Sequence, residues 1–422
     1  MHFRSGILII TLIAAGSFTA NGQEESLRAY ADKIGLNIGT CIFGRTYQSG
    51  QYSEILTRDF NTVVAENEMK AQAMQPQQGQ FSFGTADAMV AFAQEHDMKV
   101  RGHTLVWHAQ NPSWLSGGSW TRETLLKQME AHITGVVSHF KGKVFEWDVV
   151  NEAFGDRATN GVNPLRGSFW QRTIGDDFLD SAFTYAHRAD PDAILFYNDY
   201  STSNVNSKST SVYNKLKEMI ENGVPVSGVG FQSHQTLEDY DEEFIASLKE
   251  NFDRFAALGL RISVTELDIR ITLPSGGNDW VTQAEYYREY LQTCLENSAC
   301  KTFMIWGFTD RYSWIPGVFP GTGEALIFDD NFEPKPAYDE LLETLKNYKP
   351  DAIRSFGGFR NNPASRLFTA GNFSRSIFNL RGEKIGTYSF SPTLLISAGG
   401  RPPAASQTVV IENGKRPMVL MR

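Results

Sequence analysis

Lys143–Glu152 reads KVFEWDVVNE, an apolar, β-branched run that turns polar at its end, on Asn151 and Glu152. A parallel strand covered on both faces has this look, because only its end meets water. The same pattern recurs along the chain. LNIGTCIF starts at Leu36, TVVAENE at Thr62 and KVRGHTLVW at Lys99. AILFYNDY starts at Ala193, GVGFQSH at Gly228, RISVTELDI at Arg261 and TFMIWGFTD at Thr302. Between these runs lie amphipathic stretches such as Glu123–Phe140, Glu242–Leu258 and Gln283–Glu296, which read as helices. Eight strands alternating with helices predict an α/β fold, a parallel sheet closed into a (β/α)8 TIM barrel. An open doubly wound sheet is the alternative, but no glycine-rich phosphate turn follows the first strand.

In such a barrel the C-terminal strand ends form one rim, where active sites are built. The polar ends are Glu66 with Asn67, His103, Trp107 with His108, Asn151 with Glu152, and Asn198 with Asp199. Gln232, His234, Glu266, Asp268 and Asp310 complete them. Any one reads as an ordinary strand end, but seven ends of this character predict a shared site. Glu152 and Glu266 stand out, on the fourth and seventh strands. An isolated acidic residue there is more often a salt-bridge partner. A pair of carboxylates among Asn, Gln, His and Trp suits glycoside hydrolysis, which needs a proton donor and a second carboxylate below the anomeric carbon. His234 and Gln232 would neighbour Glu266, and a His donor favours the charged form a nucleophile requires. Asp268 would orient His234. Trp107, Trp306 and Trp314 fall where sugar faces can stack, whereas Trp147, earlier in its strand, reads as core.

Composition agrees. The 422 residues carry 39 Lys and Arg against 48 Asp and Glu, a net charge of −9, with 12% aromatics. This acidic balance argues against nucleic acid or an anionic membrane as partner. Residues 1–22 read as a signal peptide: Arg4, then GILIITLIAA from Gly6, then small residues Ala20 and Gly22. The run is too short to span a bilayer, and no other stretch is long enough. The expected location is therefore outside the cell. Of three cysteines, Cys294 and Cys300 are near enough to pair locally in an exported protein, and Cys41 reads as a buried free thiol. No Cys/His spacing fits zinc, and no strand-end Lys lies in an apolar run as a Schiff-base enzyme would need. Neither metal nor cofactor is expected.

Six stretches together resemble the family 10 glycoside hydrolases, the endo-β-1,4-xylanase family. They are AENEMK at Ala65, RGHTLVWH at Arg101, WDVVNEA at Trp147, FQSH at Phe231, VTELDI at Val264 and WGFTDRYSWIPG at Trp306. The resemblance runs from about Leu36 to Lys346. It implies hydrolysis of internal xylan linkages with retention, Glu152 as acid/base and Glu266 as nucleophile. It implies that Glu66, Asn67 and Lys70 grip the sugar on the non-reducing side of the cleaved unit. His103, Trp107, Asn151, Gln232, His234, Trp306 and Trp314 would line the central subsite, and Tyr200 the leaving-group side. Cys294 and Cys300 match a local disulfide of the family. Two departures stand out: Ala71 replaces a usual Trp, and the loop QTLEDYDEE from Gln235 is unusually acidic. A cellulase or mannanase on the same barrel is the nearest rival, against which ENEMK and WGFTDRYSWIP argue. A sugar-binding barrel without catalysis would lack a carboxylate.

The predicted organisation is a signal peptide over 1–22, a catalytic barrel over 23–350, and a linker with a small β-rich module over 351–422. Residues 356–366 have the Gly, Asn, Pro and Ser content of a linker. Residues 351–422 carry ten Lys and Arg against three Asp and Glu, net +7, against −17 for residues 23–350. SIFNLRG, TLLISAGG and QTVVIENG read as short β runs. Their arrangement is similar to the C-terminal sorting domains of type nine secretion, which implies secretion machinery as a partner. The segment has no Trp, unlike a module that stacks sugars on exposed aromatics.

Overall fold

The structure, a computed structural model, describes residues 25–350 and four strands in the C-terminal segment. The expected signal peptide (1–22), the linker (356–366) and the run TLLISAGG lie outside the described residues. Two compact units divide near Ala352 and Ile353.

The first unit is the expected barrel. Its strands are β1 (Asn37–Ile42), β2 (Thr62–Ala65), β3 (Lys99–Val106), β4 (Glu146–Asn151), β5 (Ile194–Asp199), β6 (Gly228–Phe231), β7 (Arg261–Thr272) and β8 (Cys300–Ile305). Each pairs in parallel with the next, and β8 pairs in parallel with β1, closing the sheet. Helices cover the outside, among them Arg122–His139, Glu242–Ala257 and Asp279–Glu296. Their starts are chemically marked. Thr121 and Thr124 form a reciprocal capping box, and Asp241 accepts from the Phe244 amide. Each satisfies an amide that the helix itself leaves unpaired.

The run expected as one strand from Gly228 to His234 divides in two. After β6, Ser233 takes φ 64, in the left-handed region, and a short segment His234–Thr236 then pairs with Asp268–Arg270 of β7. Gln232 and His234, on either side of that break, both line the strand-end cleft. Trp147 is core, as expected, at 1% exposure. It lies over Gly102 of the neighbouring strand, where a Cβ would fall within 2.1 Å of the indole.

The barrel interior also holds charge. Arg101 on β3 is fully buried against Glu146 and Asp148 on β4, with Nη1 donating to Glu146 Oε1 at 2.6 Å and a second, shorter contact to Asp148. Cys294, at the end of the helix preceding β8, is bonded to Cys300, the first residue of that strand. Cys41 is buried and free.

The second unit contains β9 (Phe373–Phe378), β10 (Lys384–Phe390), β11 (Thr408–Glu412) and β12 (Met418–Met421), paired in order as an antiparallel sheet. β9 overlaps SIFNLRG and β11 lies within QTVVIENG. β10 and β12 were not among the expected runs.

Candidate active site

The strand-end rim surrounds a cleft of about 570 Å³. Glu66, Lys70, His103, Trp107, Asn151, Glu152, Tyr200, Gln232, His234, Glu266, Trp306 and Trp314 all line it. Two expected residues stand one step back. Asn67 accepts from Lys70 Nζ at 3.3 Å and from Gln110 at 3.0 Å. Asp268 accepts from His234 Nδ1 at 2.8 Å and from Trp314 Nε1 at 2.8 Å. Asp310, a polar strand end in the sequence, turns away from the cleft. It pairs with Lys335 at 2.9 Å, and burial pushes its carboxyl up to about 6.

The two glutamates are held by different partners. Glu266, on β7, is 5% exposed and receives Asn198 Nδ2 at 2.8 Å and His234 Nε2 at 3.2 Å. Burial alone would raise its pKa. The His234 hydrogen bond and the nearby His103 and His234 rings outweigh burial and hold it below the ordinary carboxylate value. His234 is the counterpart: burial works against its charge, but Asp268 and Glu266 push it up to about 10. An imidazolium fixed between two carboxylates donates from both nitrogens, so its tautomer is not in question.

Glu152 follows the end of β4 and has φ 55, a left-handed backbone for a non-glycine residue. Trp107 Nε1 donates to its Oε2 at 2.8 Å, and Gln232 Nε2 to its Oε1 at 2.9 Å. Asn151 Nδ2 lies 3.3 Å from the same Oε1. The Asn151 oxygen accepts from Gln232 at 3.1 Å and from Asn198 at 3.0 Å. Turning that amide over would set nitrogen against nitrogen at both contacts and give up the bond to Glu152, in return for contacts to the Asn198 carbonyl at 3.2 Å and Trp107 Nε1 at 3.3 Å. A chain of amides therefore runs from Glu152 through Gln232, Asn151 and Asn198 to Glu266. Asn198 is fixed in turn by Thr265 Oγ1 at 2.7 Å.

Around this pair, Lys70 lies over the Trp107 ring at 4.9 Å, and burial lowers its pKa against the pull of Glu266, Glu66 and Glu152. His103 is held through Nδ1 by Asp148 at 2.9 Å. Trp114 donates its indole N–H to the Gln75 carbonyl at 3.0 Å, at the end of the short helix Ala71–Met74. Sequence reasoning missed Gln110, Ser201, Arg270 and Phe319, which also line the cleft. It marked Asn198 only as a polar strand end and gave Arg101 and Asp148 no role. The polar end of AILFYNDY was the available signal for Asn198. The others sit on loops or inside strands where no pattern sets them apart.

A closed parallel barrel whose rim brings two carboxylates, three tryptophans and fixed amide donors into one cleft defines a barrel glycoside hydrolase. Comparison with known proteins narrows the class. The glycosyl hydrolase family 10 profile matches residues 26–344. Endo-1,4-beta-xylanase B of Thermotoga neapolitana is 43% identical over 346 residues, 81% of this chain and 98% of that protein. The crystal structure of xylanase 10B from Thermotoga petrophila in complex with xylobiose is 44% identical, with a TM-score of 0.73, over 77% of this chain and 98% of that one. Native xylanase 10B from Thermotoga maritima is 46% identical, with a TM-score of 0.72, over 76% and 98%. The chain belongs to glycosyl hydrolase family 10. Among the described residues, no helix is long and apolar enough to cross a membrane.

Proposed function

We propose that this chain is an endo-1,4-β-xylanase that hydrolyses internal xylan linkages with retention, Glu266 acting as nucleophile and Glu152 as acid/base. The placement of the two carboxylates in one cleft, each held by its own set of donors, carries the reading. Glu266 is kept ionised by His234 and Asn198, as a nucleophile must be. Glu152 is aimed into the cleft by Trp107 and Gln232. In the first step Glu152 gives its proton to the glycosidic oxygen while Glu266 Oε attacks the anomeric carbon and the aglycone leaves. In the second, Glu152 takes a proton from water, which displaces Glu266 from the same face that the aglycone vacated. Two inversions give net retention. Glu66, Asn67 and Lys70 bind the sugar next to the cleaved unit. His103, Asn151, Gln232, Trp107, Trp306 and Trp314 frame the sugar undergoing cleavage, and Tyr200 borders the leaving group.

Xylan, soluble cellulose and mannan, compared by reducing ends released, test the substrate. Proton NMR of the first product tests the stereochemistry. The β-anomer is expected first, with carboxyl groups about 5–5.5 Å apart. An α-anomer first, or faster release from cellulose or mannan, overturns the reading.

We also propose that residues 1–22 direct export and are then removed, and that residues 351–422 serve export or surface attachment while residues 23–350 catalyse. The apolar run after Arg4 and the Cys294–Cys300 disulfide, a bond suited to oxidising compartments, support export. The separate antiparallel sheet of β9–β12 supports a distinct tail module. A chain ending at Asp351 is expected to keep its kcat/KM on soluble xylan and to lose its normal placement in the native host. Loss of folding would assign the tail to the catalytic unit, and loss of binding to insoluble xylan would make it a sugar-binding module.

A further inference from the structure

Arg166 belongs to none of the barrel strands. It lies in the loop after β4, half-buried, and its guanidinium gathers the backbone around Glu152. Its Nε donates to the Glu152 carbonyl at 3.1 Å, and Nη2 donates to the Phe154 carbonyl at 3.0 Å. The same Nη2 donates to Tyr200 Oη at 2.8 Å and lies 3.5 Å from Asp156. Tyr200 in turn donates to Asp156 at 2.6 Å, and Lys208 sits over the Tyr200 ring at 3.5 Å. On the other side of Glu152, its own amide donates to the Asn198 carbonyl at 2.9 Å. A non-glycine residue at φ 55 persists only where its surroundings over-determine the backbone. Here the peptide is pinned through its N–H by β5 and through its C=O by Arg166.

We infer that Arg166 is a positioning residue for the acid/base step: it holds the Glu152 backbone in its left-handed turn and ties it to Tyr200 on the cleft wall. This rests on the assignment of Glu152 above. The planar fork reaches carbonyl and phenol oxygens at once, which an ammonium group, a single point charge, does not. If the peptide relaxes, the Glu152 carboxyl leaves its bonds to Trp107 and Gln232 and with them its aim at the glycosidic oxygen. Small displacements of a positioned group are costly in rate. Proton donation then suffers while attack by Glu266, on the opposite side of the barrel mouth, does not.

The test compares Arg166→Gln and Arg166→Lys with Glu152→Ala on two substrates, xylan and an aryl xylobioside whose activated phenol leaves without a proton. For Arg166→Gln, kcat/KM on xylan is expected to fall roughly ten- to a hundredfold, part of the ~10²–10⁴ that a positioned general acid contributes. The burst rate of phenol release is expected to fall by less than about threefold, because that step needs no general acid. Arg166→Lys keeps the charge and should lie between. A merely structural role would depress both substrates alike, and that result, with Glu152→Ala still sparing the aryl substrate, overturns the inference alone. If Glu152→Ala itself depresses both alike, the acid/base assignment falls, and the inference with it. Thermal melts accompany each variant; where Arg166→Gln does not fold, Arg166→Lys carries the comparison.

Discussion

Glu266→Ala is expected to abolish turnover of every substrate, whereas Glu152→Ala is expected to divide substrates by leaving group. Without Glu266 no carboxylate is placed to attack the anomeric carbon, and no glycosyl-enzyme forms on xylan or on an activated aryl xylobioside. Without Glu152 the nucleophile remains, still ionised by His234 and Asn198. Xylan, whose leaving alkoxide needs a proton, should lose about 10²–10⁴ in kcat/KM. An activated phenol leaves unaided, so its release should continue as a burst. The glycosyl-enzyme then accumulates, because water lacks a base to activate it. Azide, an anion that needs no base, should restore turnover in Glu152→Ala and give a β-glycosyl azide, whereas in Glu266→Ala it can only fill the vacated carboxylate position and give the α-azide by a single inversion. The measurement is burst amplitude and steady-state rate with and without azide. Equal losses on both substrates, or an α-azide from Glu152→Ala in proton NMR of the product, would reverse or remove the assignment.

The second large effect lies under the site. Arg101→Met is expected to destabilise the barrel by about 3–5 kcal/mol, the cost of leaving buried carboxylates without their partner. Arg101 is 1% exposed, and it faces Glu146 and Asp148 at 2% and 1%. Burial raises both carboxyls. For Asp148 the guanidinium and His103 outweigh that and hold it low, while Glu146 stays above the ordinary value. Without Arg101, Asp148 rises above its unfolded value and Glu146 rises further above its own. The variant then takes up protons on folding and is least penalised where they are available. Its deficit relative to wild type should therefore be widest near neutral pH and should narrow as pH falls toward 4. Urea midpoints at pH 7 and pH 5 measure it. Adding Glu146→Gln to Arg101→Met should recover part of the loss at pH 7, since it removes one orphaned charge. Equal deficits at both pH values would show the loss to be one of packing volume.

The barrel was legible because its strands announce themselves. KVFEWDVVNE and its seven counterparts carry both the apolar interior and the polar end, and strand direction then sends every polar end to one rim. Glu66, Asn151, Glu152, Gln232, His234 and Glu266 were marked by that rule before any contact was known. The same rule misplaced Asp310, whose carboxylate prefers Lys335 to the cleft, because a polar strand end does not say which way its side chain turns. It also ran β6 through to His234, because nothing in GVGFQSH marks the left-handed Ser233.

The sequence by itself determined the alternation of strand and helix, the rim and the two glutamates, since these depend on local periodicity and strand direction. Only the tertiary structure decided what distinguishes those glutamates. Both are strand-end Glu residues beside polar neighbours in the chain. One becomes a carboxylate held ionised because His234, 32 residues away, and Asn198, 68 residues away, close on it. The other is aimed by Trp107 and Gln232 and pinned from behind by Arg166. Ionisation and aim depend on distances of a few ångströms between residues far apart in the chain, and barrel closure, not chain order, sets those distances.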